Sequence, residues 1–520
     1  MKYHKRFLIS LIVVSGSLAA GAAADEYDGT IRVGYQYLDH DGNRSVDRST
    51  FNLYEGVELS LERFAYRLDN GLNLSADIRN AALGNRNLSL GATRAGQWGV
   101  GFYHNSYRRL YDFVGDVESR RYRSGGQVWW RARPWLKAHA GVGVTKKNGD
   151  TMALFDVDDI GAASEVDYAH WTYHAGLTFK GDRKTAQVEY RGSDYTDNES
   201  LFNDRSTRRL RVAVSTPAPV HRNLMLNAGY QHYRLALERR PDTLMAQTLW
   251  GGARFHCRGG YTARYSFIFD RARRTGDLTD ADNITHAFYL GKAFRRHGGL
   301  TVGYRYRIND DALDELTGTG YFVTAWLRPI QNLKLRSGYG SDELSVDEGR
   351  TLTGETERSR GWFSVRYKND YGWIRGSIQN RQTSNDDIGS STDYLRLAAD
   401  LSIERPEYGS LAVTYSYGTG EYKNSAGYFE YEEHSVSGDL TSREYQGATV
   451  GFGGTYVRNR KNLDIERFSL RFSGQYRFEK VWTVHLAYRS HNFDNYNDPS
   501  PLYSEYYSNN VVQISLSYDL

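Results

Sequence analysis

Val512, Ile514, Leu516, Tyr518 and Leu520 occupy alternate positions at the end of the chain, and Gln513, Ser515, Ser517 and Asp519 fill the gaps. Successive side chains of a strand point to opposite faces, so this segment has one apolar face and one wet face. The same unit recurs from about the twenty-fifth residue onward: roughly ten residues of alternation, a turn, then another alternating run. Residues 72–79, 208–216, 223–233, 261–271, 300–308, 395–404, 467–478 and 481–489 predict strands most clearly. A soluble sandwich would turn the apolar face inward. Here the wet face carries Arg, Gln and Asp and the apolar face carries Tyr, Phe and Leu, the pattern of a barrel with lipid outside and water or a polar partner inside.

The links between strands alternate in length. Short ones fall near Pro134-Trp135, 180–183, 217–222, 258–260, 296–298, 329–332, Asn369-Asp370, 406–408 and Glu479-Lys480. Longer polar ones fall at 147–164, 194–205, 275–282, 309–318, 341–357, 384–391 and 494–507. Outer-membrane barrels have this rhythm, with the short turns periplasmic. Placing the chain's end in the periplasm gives consistent parity only if 428–438 is also a strand. The expected fold is all-β: one large antiparallel transmembrane barrel of about 26 strands (24–26) with no plug domain. Such a cylinder is on the order of 50 Å across, too wide for side chains to fill. An open bore of that size would leak periplasmic contents, so a resident partner is expected inside it.

The first residues form an export signal. Lys2, Lys5 and Arg6 precede an apolar core, 7–14, that is too short to span a bilayer as a helix. Ala22, Ala23 and Ala24 offer small residues for cleavage, placing the cut between Ala24 and Asp25, so that 1–24 is a signal peptide and 25–520 the barrel. A mean hydropathy of -0.65 is compatible with this, because only alternate residues of each strand face lipid. The 41 tyrosines suit membrane interfaces, where a ring sits at headgroup depth with its polar end wet. The formal charge is +4, and the three signal cations leave the mature chain at +1, which gives no electrostatic basis for nucleic-acid binding. Tyr518 and terminal Leu520 put apolar side chains on the lipid face of the last strand, as in the C-terminal signal read by barrel-assembly machinery, although most such signals end in an aromatic residue.

The parity rule assigns charged residues to the lumen. Candidate inner-face residues are Asp77, Arg79, Arg264, Arg305, Arg307, Arg366, Arg396, Asp400, Arg471, Arg477, His485 and Arg489. Arg or Lys on the lipid face at mid-depth would cost about 2–4 kcal/mol each. An inner arginine face suits haem propionates or the acidic surface of a cytochrome, and equally the generic hydrated lumen of any outer-membrane barrel.

Catalytic and cofactor motifs are absent. There is no CxxCH for covalent haem, and the single cysteine, Cys257 in a short turn, can hold neither an internal disulfide nor a cysteine-ligated cluster. No Walker loop, HExxH or GxSxG occurs. The acidic clusters 156–159 and Asp310, Asp311, Asp314 and Glu315 lack EF-hand spacing and read as solvated loop acids. His139 and His485 read as lone strand histidines. The chain is not expected to be an enzyme, nor to carry a metal or cofactor of its own.

Leu53-Tyr54-Glu55-Gly56, Ala76-Asp77-Ile78-Arg79-Asn80, Asn85-Arg86-Asn87-Leu88 and Tyr107-Arg108-Arg109-Leu110-Tyr111-Asp112-Phe113 resemble barrel repeats of the MtrB/PioB-type family. The layout is similar over essentially the whole mature chain, whereas the motifs lie in its first quarter. The resemblance implies a Gram-negative outer-membrane barrel that sheathes a partner multihaem c-type cytochrome, with haem on the partner and electrons crossing the membrane along it. The chain is shorter than the better-known members and lacks a CxxC near the mature start, which removes the basis for a redox role of the barrel itself. The alternative class is a wide diffusion porin whose arginines favour a polar or anionic solute. A lipopolysaccharide-insertion barrel fits less well, since its soluble domain and cysteine pairs are missing.

Overall fold

The computed structural model describes residues 26–42, 53–110, 117–152, 163–199, 203–238, 243–275, 281–311, 314–349, 355–385, 388–425, 427–462, 464–496 and 506–520. Ala24, Asp25 and the 156–159 acidic cluster lie outside them, as do Tyr111, Asp112 and Phe113. The strands are β1 (Glu26–Gly42), β2 (Gly56–Arg67), β3 (Leu72–Arg79), β4 (Asn87–Arg94), β5 (Trp98–Leu110), β6 (Glu118–Arg133), β7 (Leu136–Met152), β8 (Ala163–Gly181), β9 (Lys184–Asp197), β10 (Arg205–Ala218), β11 (His221–Leu237), β12 (Thr243–His256) and β13 (Tyr261–Arg274). They continue with β14 (Ala281–Phe294), β15 (Gly298–Asp311), β16 (Asp314–Ile330), β17 (Leu333–Gly349), β18 (Thr356–Asn369), β19 (Gly372–Asn385), β20 (Ser390–Arg405), β21 (Gly409–Asn424), β22 (Gly427–Ser442), β23 (Ala448–Lys461), β24 (Ile465–Phe478), β25 (Trp482–Asn495) and β26 (Tyr507–Asp519).

Each strand pairs antiparallel with its chain neighbours, and β26 closes on β1 from Thr30↔Asp519 to Gly42↔Tyr507. Closure satisfies the backbone groups that an open sheet would leave at two edges. The 26 strands match the expected number, and β22 is the strand that parity required at 428–438. The long links are shorter than expected. Residues 309–318 run almost wholly as strand, because β15 continues to Asp311 and β16 begins at Asp314, with Asp310 opposite Glu315. β7 and β8 likewise extend into 147–164, and β17 and β18 into 341–357. Polar side chains do not end a strand that can still pair with its neighbour, so the wall extends beyond its apolar belt at the long-link end.

Large exposed apolar side chains concentrate on one parity. At the seam Tyr35, Ile514 and Leu486 stand side by side, as do Leu290, Val302 and Val323 further round. Ser515 and Ser517, one residue along from Ile514 and Leu516, are buried on the other parity. Recesses in the wall are lined mainly by this polar parity, which marks it as the concave, inner side. Among the described residues every strand belongs to the one wall, and the longest non-strand segment is 80–86.

Residues 80–86 pack locally. The Ala81 N–H donates to the Leu59 carbonyl (2.8 Å), the Ser106 hydroxyl to the Gly84 carbonyl, and the Arg108 guanidinium to the Leu53 carbonyl (2.7 Å) while lying 4.1 Å over the Tyr54 ring. Leu59, Leu83 and Leu110 are buried there. Burial pushes the Tyr54 phenol above its ordinary pKa, and Arg108 opposes that shift. Residues 53–54, 80–84 and 106–110 thus converge on one packed knot at the long-link end of β2–β5.

Candidate functional site

The inner wall is the candidate site, and its charged residues fall into three settings. Asp77 and Arg79 serve the backbone. β2 bulges where its register with β3 shifts between Leu61 and Phe64, putting Arg63 at φ 52. The Arg63 N–H donates to Asp77 (3.3 Å), whose carboxylate also takes two hydrogen bonds from Arg79, at 2.8 and 3.1 Å. A bulge leaves one residue without a ladder partner, and Asp77 supplies that partner.

A second group faces ion-pair partners, hydrogen-bond partners or recesses across strands. Arg305 bridges to Asp342, and Arg307 lines a recess beside them with Arg358 and Glu343. Arg471 bridges to Asp439 and lies opposite Arg489. His485 shares a 2.9 Å hydrogen bond with the Ser517 hydroxyl and lines a recess with Arg32, Gln475 and Gln513. Arg477 sits opposite Thr483 beside the seam.

The third group meets aromatic rings. Arg264 lies 5.2 Å from the Tyr289 ring centroid and Arg366 lies 5.4 Å from that of Trp373. Arg396 and Asp400 line a recess with Arg336, Arg360, Trp362 and Arg375. The twelve candidates therefore do not form one site; they are distributed around the wall.

Residue type alone places tryptophan at the membrane interface, and that hides the inner aromatics from sequence reasoning. Half of the ten tryptophans (Trp129, Trp250, Trp326, Trp362 and Trp373) share parity with inner residues such as Gln127, Thr248, Thr324, Arg360 and Arg375. Phe322 and Tyr289 join them, with ring centroids 5.0 Å apart, and Ile268 sits inside opposite Trp250. Many of these rings lie over a glycine of the next strand: Trp250 over Gly229, Trp362 over Gly338, Phe322 over Gly303. The ring covers backbone that a side chain would otherwise shield, as aromatic residues do beside sheet glycines. The signal was readable for four of the five, since Trp129, Trp326, Trp362 and Trp373 sit two residues from Arg131, Arg328, Arg360 and Arg375.

His139 is not alone. It faces His174 on β8 with ring centroids 5.8 Å apart, and each ring covers a glycine, Gly176 and Gly141 respectively. Among the described residues no group of three metal-ligating side chains assembles. Cys257 is exposed in the short turn between β12 and β13. At the chain's end the Tyr518 ring packs 4.7 Å from that of Trp482, and the Leu520 N–H donates to the Gly29 carbonyl (2.8 Å).

A closed 26-stranded antiparallel wall with an apolar exterior and an Arg- and Trp-bearing interior defines a large transmembrane-type β-barrel. No protein-family model matches the chain, and no curated protein matches it. Solved structures do. A ferric enterobactin receptor (PfeA) mutant from Pseudomonas aeruginosa superposes with a TM-score of 0.56 at 11% identity, over 95% of this chain and 80% of that one. The FrpB iron transporter from Neisseria meningitidis gives 0.54 at 9% identity, over 95% and 82%. The siderophore receptor PirA from Acinetobacter baumannii gives 0.53 at 7%, over 96% and 81%. At these identities the likeness is one of fold.

Proposed function

We propose that this chain is a Gram-negative outer-membrane barrel that houses a multihaem c-type cytochrome in its bore and carries out no redox chemistry itself. The observation that carries the proposal is the make-up of the inner wall. Trp, Tyr and Arg are the residues enriched where proteins bind proteins, and here they line a cylinder too wide to fill itself. A hydrated channel needs only a polar lining, and the rings that cover wall glycines here add half-buried aromatic surface to it. The lipid-facing parity would insulate the partner from the membrane, and the haems would supply the electron path. The MtrB/PioB-type resemblance names the same partner class, and the packed knot of 53–54, 80–84 and 106–110 gives parts of those motifs a structural role.

The test is the colour of the purified protein. The barrel extracted from its own outer membranes in mild detergent should retain a stoichiometric cytochrome with a haem Soret band. A colourless barrel that conducts ions in planar bilayers would overturn the proposal and favour the second reading, a wide anion-preferring porin. That reading is supported by the excess of arginine on the inner wall and by the cationic recess described next.

A further inference from the structure

At the short-turn end, β16 to β19 form a recess of about 480 Å³ lined by Arg328, Lys334, Arg336, Arg366, Lys368 and Arg375, with Trp373 in its wall. Lys334, Arg366 and Arg375 stand directly opposite one another on three adjacent strands. Like charges directly opposite in a sheet destabilise it. Several arginines elsewhere on the wall are neutralised: Arg271 with Asp282, Arg305 with Asp342, Arg458 with Asp464 and Glu466, Arg471 with Asp439. None of the six recess cations has a carboxylate of a described residue within 4.0 Å, although Asp400 lies opposite Arg375 one strand further on. The acids of these same strands, Asp314, Glu315, Asp342, Glu343 and Glu357, stand toward the long-link end, away from the recess.

The shape narrows the kind of anion that fits. Small-molecule pockets are enclosed and mostly apolar, with a few placed polar groups. This recess is half open, and six of its ten lining residues are cations, spread over neighbouring strands about 4.8 Å apart; Gln331, Asn332 and Ser364 add uncharged polar groups. A single phosphate would reach two or three of them. A surface bearing several carboxylates would meet them all, and guanidinium groups pair with carboxylates bidentately. Trp373 adds an aromatic contact at the edge of the charged row.

We propose that this recess seats an acidic surface of the protein occupying the bore, at the end where that protein enters. The proposal rests on the sheath reading above. Its first test uses the complex purified from native membranes and treated with a water-soluble carbodiimide. The reagent activates a carboxylate, a lysine Nζ displaces it as the urea, and an amide remains. Mass spectrometry should find Lys334 or Lys368 joined to an Asp or Glu of the resident protein, and the links should vanish in Lys334→Arg/Lys368→Arg, which keeps the charge. The second test uses Lys334→Gln/Arg366→Gln/Arg375→Gln. It should still insert as a heat-modifiable barrel, while the salt concentration that releases half of the partner falls roughly twofold or more. A partner retained at unchanged salt and joined only at other lysines overturns this proposal and leaves the sheath standing. A wild-type barrel that carries no protein overturns both.

Discussion

A methyl group added at Gly229 would run into the Trp250 indole lying across it from β12. At Gly338 the added carbon would lie 2.5 Å from the Trp362 indole nitrogen. In both places something must move, and overpacking of this kind costs about 1–3 kcal/mol. Gly229→Ala should therefore lower the temperature at which the barrel loses its compact gel mobility. Gly229→Ala/Trp250→Ala should lose less than the two single changes together, because the second change removes what the first collides with. Additive losses would show that the ring does not rest on the glycine. Asp77 makes a different prediction at the same scale. Asp77→Ala removes the acceptor of the Arg63 N–H and unpairs Arg79, an exposed site where about 0.5–1.5 kcal/mol is expected from the lost hydrogen bond. Asp77→Asn keeps an acceptor and should recover most of it. A charge role in the lumen would instead make Asn as damaging as Ala.

At the scale of the element, the seam between β1 and β26 turns a sheet into a barrel. Deleting 511–520 removes most of β26, and with it the partner of both β1 and β25. The expected outcome is a chain that fails to insert and is degraded in the periplasm, since an open edge in lipid leaves several backbone groups unsatisfied. A normal heat-modifiable barrel in the outer membrane after that deletion would show that the seam is dispensable. Strand existence and facing were legible in the sequence because period two is local: Ile514 and Ser515 declare their faces with no knowledge of neighbours. Strand ends were not, because β15 and β16 persist through Asn309–Asp311 and Asp314–Gly318 by pairing with each other, and pairing is invisible in either segment alone. The side-by-side row of Lys334, Arg366 and Arg375 was hidden for the same reason. It exists only once the pairing of β17 with β18 and the Asp370-Tyr371 turn between β18 and β19 fix the registers. The inner Trp362 and Trp373, by contrast, were there to be read from Arg360 and Arg375 two positions away.

At the scale of the molecule, a net charge of only +4 conceals an uneven distribution of ion pairing. The carboxylates of Asp282, Asp342, Asp464 and Glu466 neutralise arginines at levels of the wall away from the short-turn rim, whereas the six recess cations at that rim have no carboxylate partner among the described residues. A wall with a positive mouth focuses anions into whatever water fills it. If the bore is a housing, that water is largely displaced by the resident protein, and the field of the mouth is spent on holding it. The expected electrophysiology follows. The native complex should pass little current in planar bilayers. The same barrel stripped of its partner by high salt should open in large steps with a reversal potential on the anion-selective side in a potassium chloride gradient. In the stripped Lys334→Gln/Arg366→Gln/Arg375→Gln barrel that potential should move toward zero at unchanged step size, because the mouth loses charge and the wall keeps its width. A native complex that conducts as fully as the stripped barrel would mean the bore is open in the membrane, and the inner wall would then have to be explained as a solute path.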